Sequence, residues 1–195
     1  MTNEVEIPSW LRYLNLIIGF CLIILSLIVI LNFGLAKTTM VLILSFSLIA
    51  ISFTRIINSL KDEYLSSHFR TANAVVGAIG LSIAAVAILP RDIEITTSIY
   101  FLAIGLGLQG VIRIAMGGAD TTLSNWLRGF LISVGILTIL LTLFVMVFPN
   151  INEMILIVVL AYAFLANGLA RIAKGLAGHD LFEGTLLDRK QPKSQ

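Results

Sequence analysis

Asp62-Glu63-Tyr64-Leu65-Ser66-Ser67-His68-Phe69-Arg70 is answered 58 residues later by Asp120-Thr121-Thr122-Leu123-Ser124-Asn125-Trp126-Leu127-Arg128. The shared Asp-x-x-Leu-Ser-x-x-x-Arg pattern ends each time on an arginine that opens an apolar run. Arg12 opens another, so Arg12, Arg70 and Arg128 keep the 58-residue spacing, and Gly19, Gly77 and Gly135 follow them at equal distance. Arg55, Arg113 and Arg171 repeat with the same period, as do Ile56, Ile114 and Ile172. Trp10, His68 and Trp126 stand two residues ahead of the opening arginines. A fixed period of this kind marks a repeated supersecondary unit. It loosens only at the turns, where Pro90 and Pro149 are 59 apart and the first copy has Asn32-Phe33-Gly34 instead.

The unit is a pair of membrane crossings. Of 195 residues, 58% are hydrophobic and 12% charged, against about 25% charged in a soluble domain. The apolar runs are 10–31, 38–60, 70–90, 95–118, 125–149 and 151–175, and away from their ends they hold no Asp, Glu, Lys or His. Each suits a bilayer core that takes roughly 20 residues of helix. Lipid offers the backbone no hydrogen-bond partner, so helices are required, and the runs lack the alternation of barrel strands. The first run exceeds the about 7–15 apolar residues of a secretory signal and is expected to be retained. The expected fold is therefore an all-α membrane protein with six transmembrane helices in three helical-hairpin repeats, 10–60, 68–118 and 126–176. Segments 61–67 and 119–125 link them, with tails at 1–9 and 177–195. Each hairpin enters from the same side, so the repeats are parallel and related by a pseudo-three-fold axis along the membrane normal.

Charge sets the orientation. Of the 13 basic residues only Lys37 and Arg91 fall on one side, together with Asp92, Glu94 and Glu153; the rest fall on the side of the termini. The positive-inside rule places both termini in the cytoplasm of a cell (inner or plasma) membrane. The net charge of +2 thus reflects topology, and no nucleic-acid partner is expected.

The chain resembles the HdeD-like, short-repeat membrane proteins, named for an enterobacterial acid-resistance protein. The resemblance covers residues 10–176. It rests on an aromatic and Arg opening each odd helix, a mid-helix Gly and a turn Pro, here Trp126, Arg128, Gly135 and Pro149. It rests also on the Gly-x-x-Arg-Ile endings at Gly110–Ile114 and Gly168–Ile172. The first copy departs, with Ser52 in place of that Gly and no turn Pro. The resemblance implies a six-helix inner-membrane protein linked to acid stress, and it brings no catalytic residues.

Several patterns have structural readings. Gly105-Leu106-Gly107-Leu108-Gln109-Gly110 spells a dinucleotide fingerprint, but that loop must follow a strand and open a helix; here it lies within an apolar helix and is expected to pack. Ala74/Ala78/Ser82 and Ala103/Gly107 have the small-residue spacing that lets membrane helices approach closely, and Gly19, Gly77, Gly135, Gly110 and Gly168 are read the same way. Tyr100, Tyr162, Trp10 and Trp126 suit interfacial anchoring. Cys21 is expected to be inert packing, and His68 an interfacial residue where the sister copies have Trp.

The six arginines carry the most chemistry. Asn15 and Asn73 follow Arg12 and Arg70 by three residues, while Gln109 and Asn167 precede Arg113 and Arg171 by four, which forms a polar belt of helix-bridging amides in the cytoplasmic third. Arg12, Arg55, Arg70, Arg113, Arg128 and Arg171 either snorkel and set topology or form a basic mouth for lipid headgroups, a small anion or an acidic partner. Neither cofactor nor metal is expected, since catalytic motifs and intramembrane carboxylate pairs are missing from the sequence. The expected function is that of a non-catalytic stress or envelope protein or an accessory subunit. Its partners would be anionic lipid at the cytoplasmic leaflet and a membrane protein or a second copy. The alternative is a small pore or carrier for a neutral or anionic solute.

Overall fold

A computed structural model describes residues 9–32, 34–61, 67–88, 94–119, 124–148 and 150–189, with backbone alone for 9, 11, 61, 67, 68 and 177–189, so the His68 side chain lies outside the description. Six helices follow in order: α1 Ser9–Leu31, α2 Lys37–Lys61, α3 Ser67–Ile88, α4 Ile95–Ala119, α5 Asn125–Val147 and α6 Glu153–Arg189. All six are long and apolar enough to cross a membrane, and no strand occurs among the described residues. The chain is a multi-pass membrane protein.

The helix ends follow from local chemistry. Asn32 donates from Nδ2 to the Ile28 carbonyl at 3.1 Å and closes α1. Asn152 Oδ1 accepts the Met154 N–H at 2.9 Å, an N-cap for α6. α5 stops just before Pro149, which disfavours helical backbone in the residue ahead of it. By contrast α6 runs for 37 residues, so 177–189, read from the sequence as a solvated tail, has helical backbone. Hydropathy falls at the membrane boundary, but the stretch holds no proline to stop the helix. The linker motifs at Asp62 and Asp120, the turn residues Pro90 and Pro149, and Asp92 lie outside the described residues.

The even helices α2, α4 and α6 touch one another at the centre, and the odd helices lie around them. Between 44% and 61% of each even span is buried inside the protein, against 22% to 33% of each odd span. The closest pairs are α2 with α3, α4 with α5, and α6 with α1. The tightest packing therefore joins successive hairpins, and the last helix closes on the first.

Repeated residues make these contacts. A methyl group on Gly77 would lie 2.7 Å from Ile56 Cγ1, one on Gly135 2.7 Å from Ile114 Cγ1, and one on Gly19 2.8 Å from Ile172 Cγ1. Glycine is needed at all three because the neighbouring backbone is equally near: the Ser52, Gly110 and Gly168 carbonyl oxygens would lie 3.0, 2.9 and 3.0 Å away. Close approach of this kind drives helix association in lipid, where apolar side chains gain nothing by leaving hydrocarbon. The Ala74/Ala78/Ser82 stripe behaves otherwise. Ala78 and Ser82 are exposed, and Ser82 Oγ merely returns to the Ala78 carbonyl. Cys21 also faces outward rather than packing.

Along the centre, Leu44, Leu102 and Leu160, then Leu48, Leu106 and Phe164, are fully buried in one continuous apolar cluster. At the end where the even helices begin, Lys37 Nζ meets Glu153 Oε2 at 2.7 Å. Thr96 Oγ1 donates to Glu153 Oε1 at 2.8 Å, so one carboxylate ties α2, α4 and α6 together.

Candidate functional site

At the other end of the bundle, where the even helices finish their crossings, the central apolar cluster gives way to arginine. Arg55 on α2, Arg113 on α4 and Arg171 on α6 are 7%, 6% and 7% exposed. Burial of a guanidinium costs several kcal/mol unless its N–H groups are met, so the partners of each decide what the site can do.

Arg55 Nη1 donates to Asn73 Oδ1 on α3 at 2.7 Å, and its Nη2 reaches the Gln109 carbonyl on α4 at 3.4 Å. Arg171 makes the corresponding pair of bonds: Nη1 to Asn15 Oδ1 on α1 at 3.2 Å and Nη2 to the Ile51 carbonyl on α2 at 2.9 Å. Arg113 Nη1 is buried without a partner among the described residues. The cause is one side chain. Asn15 and Asn73 are 58 residues apart, and the next position in the series is Leu131, which lines the same recess as Arg113 and offers no acceptor. The sequence carries this signal, a break in the amide repeat. Asn15 and Asn73 bridge helices as expected, and the arginine each meets belongs to the neighbouring helix rather than being the one three residues before it.

The other three arginines form a different class. Arg70 donates from Nε to the Ser59 carbonyl at 3.1 Å and Arg128 from Nε to the Gly117 carbonyl at 3.0 Å, each capping the final turn of the preceding helix. Arg128 Nη2 adds Gly118 O at 2.9 Å. Arg12 Nε is buried without a partner among the described residues. Its neighbour α6 continues helical past that level, which engages the carbonyls that α2 and α4 leave open.

One recess of about 70 Å³ lies among the buried arginines. Arg55, Arg70, Arg113, Arg171 and Lys174 line it with Asn15, Asn58, Ser59, Asn73, Met116, Leu131 and Ala170, and among the described residues no carboxylate does. Asn58, Ser59, Met116, Leu131 and Lys174 do not stand out in the sequence, because their residue types do not repeat: Asn58, Met116 and Lys174 are one period apart and carry three different side chains. Five cations sharing a small volume repel one another, and the field they make favours an anion.

One turn deeper sit the amides of Gln109 and Asn167, both fully buried. Asn167 Nδ2 donates to Thr138 Oγ1 at 3.3 Å and to the Ala163 carbonyl at 2.8 Å. Neither amide atom of Gln109 has a partner among the described residues. Gly110 packs on Gly135 and Gly168 on Gly19; Gly105, Gly107 and Gly110 all lie within the continuous helix α4. Trp10, Trp126 and Tyr162 are about half exposed. No family model, curated protein or solved structure matches the chain.

Proposed function

We propose that this chain is a non-catalytic protein of a cell (inner or plasma) membrane, with both termini cytoplasmic, built as three parallel hairpin repeats about a pseudo-three-fold axis. The equivalent Gly–Ile contacts of all three copies support the symmetry, and the basic asymmetry of the ends supports the orientation. Membership of the HdeD-like proteins accords with the same arrangement. The protein acts through packing and through its basic cytoplasmic end, which engages anionic lipid or a membrane partner, as a stress or envelope protein or an accessory subunit of a complex.

One observation carries this reading. Beyond the buried amides of Gln109 and Asn167, Leu48, Leu106 and Phe164 and then Leu44, Leu102 and Leu160 are fully buried in one apolar cluster on α2, α4 and α6, an apolar stretch that a solute would have to cross. A second reading, a pore or carrier for a small neutral or anionic solute, draws on Gln109, whose amide lies next to the arginines without a partner among the described residues. Purified protein in liposomes separates the two. Ion conductance and solute efflux equal to those of empty vesicles, with anionic lipid or a membrane partner co-purifying, are the expected results. Flux above empty vesicles that is lost on Gln109→Leu would move the function to the second reading.

A further inference from the structure

We propose that the recess between α2, α4 and α6 is a built site for one phosphate-class oxyanion, with Arg113 providing the open donor and Arg55 and Arg171 its flanks. The inference rests on the reading of the basic end as an anion-contacting surface and names its ligand; it is independent of whether the axis conducts.

The side chains of Arg55, Arg113 and Arg171, one from each central helix, all line the recess, and each holds a buried N–H without a partner among the described residues: Arg113 Nη1, Arg55 Nε and Arg171 Nε. A single unpartnered buried donor on a charged group is already costly. Three guanidinium groups with unmet donors on one recess, and no carboxylate among the described residues that line it, make a cradle suited to an anion. The volume of about 70 Å³ compares with roughly 10–15 Å³ for a single water on this measure, enough for one tetrahedral oxyanion and too little for a folded partner segment. Chloride is a poor fit, because planar guanidinium forks approaching from separate helices match oxygens spread over a tetrahedron.

The cradle is open because the repeat is broken. Had position 131 carried the amide found at Asn15 and Asn73, Arg113 Nη1 would have an intramolecular acceptor as Arg55 and Arg171 do. α5 packs on α4 through Gly135 and Ile114 as α3 packs on α2 through Gly77 and Ile56, so an amide introduced at 131 comes to the corresponding place. Leu131→Asn is therefore a substitution that closes the site from within while adding a hydrogen bond to the fold.

The full-length protein is tested after delipidation, in nonionic micelles, by calorimetric titration and thermal unfolding with sodium phosphate against sodium chloride at matched ionic strength. A second arm places it in phosphatidylcholine nanodiscs with and without phosphatidic acid. Phosphate-dependent binding and a raised unfolding temperature are expected in at least one arm: the micelle arm identifies a free anion, and the phosphatidic acid arm a lipid headgroup. Arg113→Gln and Leu131→Asn should each weaken the effect about tenfold or more, the worth of a charged hydrogen bond, with Leu131→Asn unfolding no earlier than the parent when no anion is present. If Arg113→Gln does not fold, Leu131→Asn carries the test alone. No response to either phosphate source, or a response that Leu131→Asn leaves unchanged, overturns the site. Flux through liposomes would instead overturn the non-conducting reading and leave the binding result standing.

Discussion

Asn15 Oδ1 accepts a hydrogen bond from Arg171 Nη1 at 3.2 Å across 156 residues of chain, and thereby ties the first membrane helix to the last. Asn73 and Arg55 form the corresponding bond between α2 and α3 at 2.7 Å. Replacing either amide by leucine copies what position 131 already has, and leaves a buried guanidinium N–H without its acceptor. Asn15→Leu and Asn73→Leu are each expected to lose about 1.5–3 kcal/mol, read as a lower unfolding temperature in detergent.

The glycines divide sharply by what lies opposite. Gly135→Ala forces a methyl to 2.7 Å from Ile114 Cγ1 and 2.9 Å from the Gly110 carbonyl oxygen, whereas Gly118 and Gly129 face open space. Overpacking of this kind costs about 1–3 kcal/mol. Gly135→Ala should destabilise by that amount, and Gly118→Ala and Gly129→Ala should be neutral or slightly stabilising through better helix propensity. Equal effects at all three positions would contradict the α4–α5 contact.

At the opposite end, the Lys37–Glu153 pair is 43% and 27% exposed. Exposed pairs are worth about 0–1 kcal/mol. A double-mutant cycle on Lys37→Met and Glu153→Gln should return a coupling within that range, shrinking as salt is raised. A larger, salt-insensitive coupling would mean the clamp is better shielded than its exposure indicates.

Orientation has its own test. After Cys21→Ser, cysteine at exposed Thr38 or Glu94 should react with an impermeant thiol reagent added outside cells. Cysteine at exposed Ser124 should react only once the membrane is opened. The reverse pattern would invert the protein and place the arginine recess on the outer face.

The helices themselves were legible because nothing but a helix satisfies a backbone in lipid, and five of the six apolar runs end within two residues of the helix that forms. The arginines, glycines and isoleucines of the site were legible as a period. Which of them meet was not. A spacing of 58 says that Gly77 and Gly135 are equivalent, yet it is silent on whether Gly77 faces Ile56 before it or Ile114 after it. For the same reason six arginines looked alike, although those on the central helices are buried and Arg70 and Arg128 cap carbonyls at the periphery. The Ala74/Ala78/Ser82 stripe misled because small residues at four-residue spacing recur by composition alone in a helix this rich in alanine.

The closure of α6 onto α1 also fixes an order in time. α3 can settle on α2, and α5 on α4, as soon as each pair has been made. α1 must wait for a partner whose arginine is synthesised 156 residues after Asn15, roughly 8–30 seconds at about 5–20 residues per second. During that interval the Gly19 groove and the Asn15 amide face bare lipid or whatever insertion factor shields them. The first helix to enter the membrane is thus the last to find its place, and a ribosome stalled before α6 should leave a protein with four helices paired and one still waiting.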